Sequence, residues 1–389
     1  MAWLRSAEGT AAVQLAIERR IAGADDLRVI EALRRSYAPE QARAALGLAI
    51  GRSSLASKLP DAVELFCDRA AAEQASHEVV ARHTARRFAG RTRVADLGCG
   101  MGGDALAIAV EAPVVAVDRD PGRLAMTEAN ASARGLSGRI EPRRADAETF
   151  DTEGCDAAWL DPARRDEGGR VLDPERWSPP LPIALQIGRR LAGAGLKLAP
   201  GIDRDQLPAD GEREFISLDG RLVAAVLWLG DLAAVARRAT ILGMSGASSE
   251  LSGDPDPPEG RVQPVGRYLY DPDPAVGRAQ LIHTLADAIG AWQLDARVAY
   301  LSSDESQSTP FARRFEVLAS LPFSERGLLD ELTRLGAARV EVMRRGSPID
   351  TNELAGRLDR RLDGERVLTV ALTRVGSGST AVVCERQRD

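Results

Sequence analysis

The chain is poor in the residues that build metal centres and disulfide frameworks. Its 389 residues include four cysteines and three histidines, none in a C-x-x-C or H-x-x-x-H spacing. The sequence therefore predicts neither a metal site nor a disulfide-stabilised fold, and free thiols are typical of a reducing compartment. Long apolar runs are also missing: no segment is long enough to span a bilayer, and the N-terminus lacks the hydrophobic region of a signal peptide. We expect a cytoplasmic protein that has no membrane partner.

Lysine is almost absent. Lys58 and Lys197 are the only lysines among 51 basic residues, so nearly every cation is an arginine, which can hold a phosphate in bidentate geometry. The formal net charge of −6 argues against a protein held to nucleic acid by bulk electrostatics. Any such binding would have to come from local arginine clusters.

Three patterns follow one another along the chain, whose hydrophobic content of 44% is sufficient for two or three domains. Apolar residues at helical spacing predict an N-terminal helical region over residues 1–88, which ends in one continuous helix over residues 68–88. Alternating strands and helices predict an α/β domain with a mainly parallel sheet over residues 89–235. The predicted strands are 93–97, 114–118, 139–143, 156–160, 195–199, 213–217 and 222–228, with a hairpin at Asp219-Gly220 between the last two.

The rest of the chain divides into two parts. Residues 236–310 form a connecting segment with a predicted loop over residues 245–264 and a predicted helix over residues 274–290, and the sequence leaves open whether the segment belongs to the catalytic domain. Residues 311–389 alternate strands and helices again and predict a separate α+β unit.

The most informative stretch is residues 94–104, an apolar run broken by glycines at alternate positions, Gly98, Gly100 and Gly102. It predicts a buried strand, a tight turn and a helix start, the place where an open α/β sheet receives a ligand. With Gly103 it also satisfies G-x-G-x-x-G, so a nicotinamide or flavin site is an alternative. Charge argues against that alternative, because Asp96 and Asp104 would repel a pyrophosphate but suit a ligand with an ammonium and a sulfonium.

Two further acidic residues follow predicted strands. Asp118 ends the run Val114-Val-Ala-Val, 20 residues after Gly98, where a carboxylate can accept hydrogen bonds from two ribose hydroxyls. Asp146 follows the third strand, where its carboxylate could accept a hydrogen bond from an adenine amino group.

At these residues the chain resembles the class I S-adenosylmethionine-dependent methyltransferases. Four motifs occur in order, each at a strand end: Asp96-x-Gly98-x-Gly100-x-Gly102, Val-Ala-Val-Asp118, Ala-Asp146 and Asp161-Pro-Ala-Arg164. The resemblance implies a Rossmann-like seven-stranded sheet and the cofactor S-adenosyl-L-methionine. It also implies that the cofactor is bound by Asp96, Gly98, Gly100, Gly102, Asp118 and Asp146, and that Asp161 and Pro162 face the acceptor as catalytic residues.

The motif after the fourth strand departs from two patterns within that family. Enzymes that methylate exocyclic base amines usually have a second proline and an aromatic residue where this chain has Ala163 and Arg164. Uracil-C5 enzymes need a cysteine nucleophile after the fifth strand, and this chain has no cysteine between Cys155 and Cys384. We expect Asp161 to position the acceptor or accept its proton, because transfer from a sulfonium is a direct displacement. The alternative is that Asp161 only caps its loop.

The loop after this motif is a candidate substrate contact. Arg164 and Arg165 could hold phosphate, and Trp177 could stack on a base. Acidic residues interleaved with them, such as Asp166 and Glu167, could instead neutralise these arginines as surface pairs.

The C-terminal unit resembles the THUMP-like domain that follows some bacterial methyltransferases, from its element order and from Arg344-Arg-Gly346. THUMP domains bind RNA, so the resemblance makes Arg344 and Arg345 candidate RNA contacts. The alternative is that both arginines pair with neighbours such as Glu341 or Asp350 on a solvated face.

Taken with the methyltransferase motifs, this predicts an enzyme that methylates a base in structured RNA, tRNA or rRNA. Two alternatives stay open. One is a methyltransferase acting on a protein or a small metabolite, and the other is a non-catalytic cofactor-fold scaffold that binds RNA.

Overall fold

The computed structural model describes residues 1–163, 165–166, 169–171, 173–203, 206–255, 260–375 and 378–387. The chain divides into two compact units. The first contains Met1–Gly211 and Val226–Ala234, and the second contains Glu212–Ala225 and Val235–Asp389. Across the described ranges, no helix is both long enough and apolar enough to cross a membrane.

The N-terminal part of the first unit is helical, as the sequence predicts. Its α-helices are α1 (Ala7–Ile21), α2 (Asp26–Leu33), α3 (Pro39–Leu55), α4 (Arg69–Gln74) and α5 (Glu78–Ala85). Short 3₁₀ turns occur at Trp3–Arg5 and Arg86–Phe88. Polar caps begin the first two helices: the Ser6 side chain accepts from the Gly9 amide and the Asp25 side chain from the Arg28 amide. The apolar faces of α1, α2 and α3 form one buried core that includes Val13, Val29 and Leu46.

The expected single helix over residues 68–88 is wrong, because the helix is interrupted between α4 and α5. The ammonium of Lys58 donates to the carbonyls of Ala72, Glu73 and Ala75 at 2.9, 2.6 and 3.0 Å. These carbonyls lie at the end of α4, so Lys58 satisfies groups that a continuing helix would have bonded internally. Since that contact comes from a residue distant in sequence, helical periodicity alone does not reveal the break.

The βαβ pattern follows in the first unit. Its elements are β1 (Val94–Leu97), α6 (Gly103–Glu111), β2 (Val114–Asp118), α7 (Pro121–Ala133), β3 (Ile140–Arg144), β4 (Ala157–Leu160), β5 (Arg165–Asp166), β6 (Gly169–Arg170), α8 (Leu181–Gly188) and β7 (Gly193–Leu198), with a 3₁₀ turn at Pro174–Arg176 before α8. Strands β2 and β4 flank β1 in parallel, with Leu97 opposite both Val117 and Leu160. The carboxyl ends of these strands therefore lie side by side at one edge of the sheet.

A hairpin closes the predicted set of seven strands. Strands β8 (Glu212–Leu218) and β9 (Arg221–Gly230) are joined through Asp219 and Gly220, whose φ angles of 47° and 76° are those of a hairpin turn. Strand β9 contributes residues 221–225 to the second unit and 226–230 to the first. In the first unit the strand order is β9-β7-β4-β1-β2-β3.

The connecting segment differs from its predicted pattern. Strand β10 (Arg237–Leu242) runs parallel to β8, and β11 (Ser248–Gly253) runs antiparallel to β10. The predicted loop over residues 245–264 thus contains a strand. Its residues are exposed or half-buried and include serines and a glutamate, so an apolar strand pattern is absent from the sequence.

The remaining elements are β12 (Tyr268–Pro272), α9 (Pro274–Ala279), α10 (Ile282–Ala288), β13 (Trp292–Asp295), β14 (Val298–Ser303), β15 (Ala312–Pro322), α11 (Glu325–Arg334), β16 (Ala337–Arg344), α12 (Thr351–Asp359), β17 (Arg366–Val375) and β18 (Gly378–Arg386). The predicted helix over residues 274–290 is two helices, separated where Gln280 adopts a φ of 61°. Strands β12 to β18 form a sheet of order β13-β14-β12-β15-β18-β17-β16. Because β12 pairs with β15, the strands β12, β13 and β14 share a sheet with the C-terminal strands.

Candidate active site

The glycine-rich turn after β1 has the backbone shape that only glycine adopts easily. Gly98 and Gly102 have φ angles of 92° and 86°. A Cβ on Gly102 would lie 2.9 Å from Cγ2 of Thr127, and a Cβ on Gly98 would lie 3.4 Å from the carbonyl oxygen of Asp161. The turn therefore packs closely against α7 and against the chain that leaves β4.

The end of β2 is tied to this turn. The carboxylate of Asp118 accepts from the Gly100 amide at 3.0 Å through Oδ2 and from the Asp120 amide at 2.9 Å through Oδ1. The Ala145 amide donates to the carbonyl oxygen of Asp118 at 3.2 Å, which brings the chain after β3 to the same place. Asp146 is exposed, and its Oδ1 accepts from the Glu148 amide at 2.9 Å. The predicted cofactor residues at the ends of β1, β2 and β3 thus lie at one edge of the sheet.

Two carboxylate oxygens at this edge are buried without a partner. Among the residues that the structure describes, Oδ2 of Asp96 and Oδ1 of Asp104 have no hydrogen-bond donor. Burial, followed by the charges of Asp104 and Asp161, raises the pKa of the Asp96 carboxyl well above its usual range. A ligand that carries a cationic donor would satisfy both oxygens, since a buried unpaired carboxylate is costly.

An ammonium group links two of these carboxylates. Nζ of Lys197, on β7, lies 2.6 Å from Oδ2 of Asp161 and 3.2 Å from Oδ2 of Asp104. It also donates to the hydroxyl oxygen of Ser76 at 2.7 Å, and that hydroxyl lies 3.1 Å from Oδ2 of Asp104. Burial alone would lower the pKa of Lys197, but the carboxylates of Asp104 and Asp161 raise it above its usual range. This shift favours the charged ammonium of Lys197 over the neutral amine that a general base requires.

The sequence interpretation missed Lys197 and Ser76. Lys197 carries one signal, as one of two lysines in a chain whose other cations are arginines. Ser76 carries none, because its position depends on the break between α4 and α5.

The loop after β4 is only partly described. Pro162 is buried, Arg164 lies outside the described residues, and the side chain of Arg165 is likewise not described. Trp177 is 3% exposed, and its Nε1 donates to the carbonyl of Val171 at 3.1 Å. The expectation that this indole stacks on a base is wrong for this structure, because the ring is packed inside the protein.

In the second unit the two candidate RNA-binding arginines have different environments. Arg344 is exposed and donates to the carbonyl of Ile349. Arg345 is half-buried, with Nε 2.8 Å from Oδ1 of Asp271 and Nη2 2.6 Å from the carbonyl of Pro272, and its guanidinium lies over the ring of Tyr300. The partner of Arg345 is therefore Asp271, not Glu341 or Asp350, and the RNA contact expected from Arg345 stays a prediction.

Comparison with known proteins matches three parts of the chain to protein families. A methyltransferase-domain family matches residues 94–161, a THUMP domain-like family matches residues 312–386, and a domain of unknown function, DUF8688, matches residues 1–52. Two uncharacterized S-adenosylmethionine-dependent methyltransferases of Mycobacterium tuberculosis, from strains CDC 1551 and H37Rv, are each 41% identical over 337 residues, which cover 83% of this chain and 89% of theirs. The chain belongs to the S-adenosylmethionine-dependent methyltransferases.

A solved structure has a fold similar to that of this methyltransferase. A protein of Porphyromonas gingivalis W83 with a provisional methyltransferase designation superimposes with a TM-score of 0.74 at 19% identity, covering 97% of this chain and 98% of its own. The methyltransferase uses S-adenosyl-L-methionine as its cofactor. The unpartnered oxygens of Asp96 and Asp104 fit a cofactor that carries an ammonium and a sulfonium.

Proposed function

We propose that this methyltransferase transfers a methyl group to a base in structured RNA, tRNA or rRNA. The observation that carries the proposal is the THUMP-like domain, since THUMP domains bind RNA. The matched residues 312–386 contain β15 to β18, α11 and α12, with a core of their own that includes Leu328, Leu354 and Leu368. An enzyme that selects one nucleotide in a folded RNA benefits from such a second contact, because phosphate contacts position a partner without reading its sequence.

In the proposed cofactor site, the acidic residues contact three different parts of the cofactor. Asp118 accepts from the ribose hydroxyls, and Asp96 and Asp104 face the cationic part of the cofactor. Asp146 accepts from the adenine amino group. The support is that the buried oxygens of Asp96 and Asp104 lack donors and that Asp118 is held against the glycine turn at 3.0 Å.

Asp161 and Pro162 are proposed to face the acceptor. Bound S-adenosyl-L-methionine supplies an activated methyl group, so the protein mainly has to align the acceptor with it. Lys197 keeps the carboxylate of Asp161 in place through the 2.6 Å contact, and Asp161 then orients the acceptor or takes its proton.

The proposed RNA contact involves exposed arginines of β16. Arg339 is 75% exposed, and its Nε lies 3.8 Å from Oδ2 of Asp359, the limit of a salt bridge. Arg344 is also exposed, at the end of the same strand. A groove of about 670 Å³ between β16 and α12 is lined by Arg339, Thr351 and Asn352 and also by the acidic residues Glu341 and Asp359. The guanidinium, hydroxyl and amide groups can contact phosphates without displacing a buried ion pair.

The binding of total tRNA across a salt series tests this proposal. Replacing Arg339 and Arg344 together with Glu should weaken binding and reduce the log-log salt slope by about 0.7–0.9 for each RNA phosphate that is no longer bound. Arg334→Glu is the matched control, because Arg334 is exposed in the same unit but pairs with Glu331 at 2.6 Å. Equal slopes for the double variant and the wild type would contradict the RNA contact.

A further inference from the structure

The charges of the side chains at the proposed cofactor site do not sum to zero. Asp104 and Asp161 supply two carboxylates, and Lys197 supplies one ammonium that contacts both. The cluster has an excess of one negative charge while the Asp96 carboxyl is neutral and of two when it is ionised, and removing the ammonium adds one more in either state. We propose that Lys197 is a specificity-determining residue that sets how strongly the site prefers the sulfonium cofactor over its thioether product. This inference rests on the cofactor placement proposed above.

The position of Lys197 supports this role. Its Nζ holds Oδ2 of Asp104 at 3.2 Å, while Oδ1 of the same carboxylate is buried and has no donor within the described part of the chain. A ligand cation that binds Oδ1 would therefore share the Asp104 carboxylate with the Lys197 ammonium. Two cations that bind one carboxylate repel each other with little screening, because the Lys197 side chain is only 12% exposed.

The chemistry of the reaction makes this repulsion selective. When the methyl group leaves, the sulfur keeps the electron pair of the broken carbon–sulfur bond, so the sulfonium becomes a neutral thioether. S-adenosylmethionine therefore carries one more positive charge than S-adenosylhomocysteine, while the rest of the two molecules is the same. A cation in the site weakens binding of the cofactor more than binding of the product, and a carboxylate does the reverse.

Calorimetric titration of the purified full-length protein with each of these two ligands tests the inference without any methyl acceptor. The quantity compared is the Kd of S-adenosylhomocysteine divided by the Kd of S-adenosylmethionine. Lys197→Met should raise this ratio by on the order of tenfold, because one cation is removed. Lys197→Arg should leave it near the wild-type value. Asp161→Asn should lower it, and the double variant Lys197→Met with Asp161→Asn should return it towards wild type, since the cluster regains its charge.

A matched variant controls for the loss of an ion pair as such. Arg134→Met removes the cation of a part-buried pair with Asp61, whose 2.6 Å separation equals that of Lys197 and Asp161. It should leave the ratio unchanged. If Lys197→Met does not fold, the double variant, in which the Asp161 carboxylate is also removed, still tests the inference: its ratio should exceed that of Asp161→Asn alone.

Two results would overturn separate parts of this account. If Lys197→Met and Asp161→Asn change both dissociation constants by the same factor, the ratio stays constant and Lys197 has only a structural role. If Asp96→Asn leaves both constants unchanged, the cofactor placement itself is wrong.

Discussion

The two lysines of this chain occupy positions that suit a compact ammonium better than a planar guanidinium. Lys197 donates to Asp161, Asp104 and Ser76, and Lys58 donates to three carbonyl oxygens at the end of α4. An ammonium has three N–H donors that point in different directions from one nitrogen atom, whereas the N–H donors of an arginine lie in the plane of its guanidinium. Both lysines therefore lie where one ammonium binds three oxygen atoms.

Asp96 gives a prediction about stability. Because burial raises its pKa in the folded protein, the folded state favours the neutral carboxyl. The stability from this group is fully present below the unfolded pKa and is lost as pH rises through the folded pKa. Asp96→Asn should therefore stabilise the cofactor-free protein by about 1–3 kcal/mol at mildly alkaline pH. The difference from wild type should vanish below about pH 4, where both side chains are neutral.

Urea unfolding of both proteins across this pH range measures the effect. A difference that does not vary with pH would mean that Asp96 does not titrate as described. The same substitution should weaken cofactor binding, so stability and binding would change in opposite directions.

Local sequence patterns predict part of the candidate site. Asp96, Asp118 and the glycines follow directly from strands whose apolar runs are visible in the sequence. Lys197 was not predicted as a site residue, because its role depends on strands that meet only in the folded sheet. Trp177 and Arg345 were assigned to ligand contacts because residue type shows chemistry but not burial, and both are packed against the protein.

At the element scale, the break between α4 and α5 is the feature that positions Ser76. Lys58→Met should remove three hydrogen bonds from a charged donor and destabilise the protein by about 1.5–3 kcal/mol. Chemical denaturation measures this. Arg28→Met is the control, since Arg28 is 77% exposed and lies 3.9 Å from Asp25, and it should change stability by less than about 0.5 kcal/mol. A loss no larger than that of the control would show that Lys58 does not hold the end of α4.

Elements with strong local signals were predicted closely. The strands at β1, β2 and β4 match their predicted ranges within one or two residues, and the Asp219-Gly220 hairpin is confirmed. Elements without such signals were not: β11 lacks an apolar pattern, and the separation of α9 from α10 depends on a left-handed Gln280. Periodicity reports which faces are buried, and it is weak where an element is mostly exposed.

At the scale of the whole molecule, the chain combines a methyltransferase domain with a THUMP-like domain. The strands within residues 268–303, which the sequence could not assign to a domain, lie in the same sheet as the THUMP-like strands. The sheet that contains the THUMP-like strands therefore extends beyond residues 312–386.

The central proposal is that this S-adenosyl-L-methionine-dependent methyltransferase methylates RNA. The most direct measurement follows label from methyl-tritiated cofactor into separated tRNA, rRNA, protein and small-molecule fractions of a bacterial extract. The wild type should label an RNA fraction. At subsaturating cofactor, Asp118→Ala should transfer roughly 10 to 100 times more slowly, because the two hydrogen bonds that we propose its carboxylate accepts from the ribose hydroxyls are removed.

Asp156→Ala is the matched control. Asp156 also accepts from two backbone amides, those of Thr92 and Arg93 at 2.9 and 3.1 Å, but it precedes β4 at the opposite edge of the sheet. It should transfer label as the wild type does. Label that appears only in protein or small molecules would contradict the RNA substrate, and an Asp118→Ala enzyme as fast as wild type would contradict the placement of the cofactor.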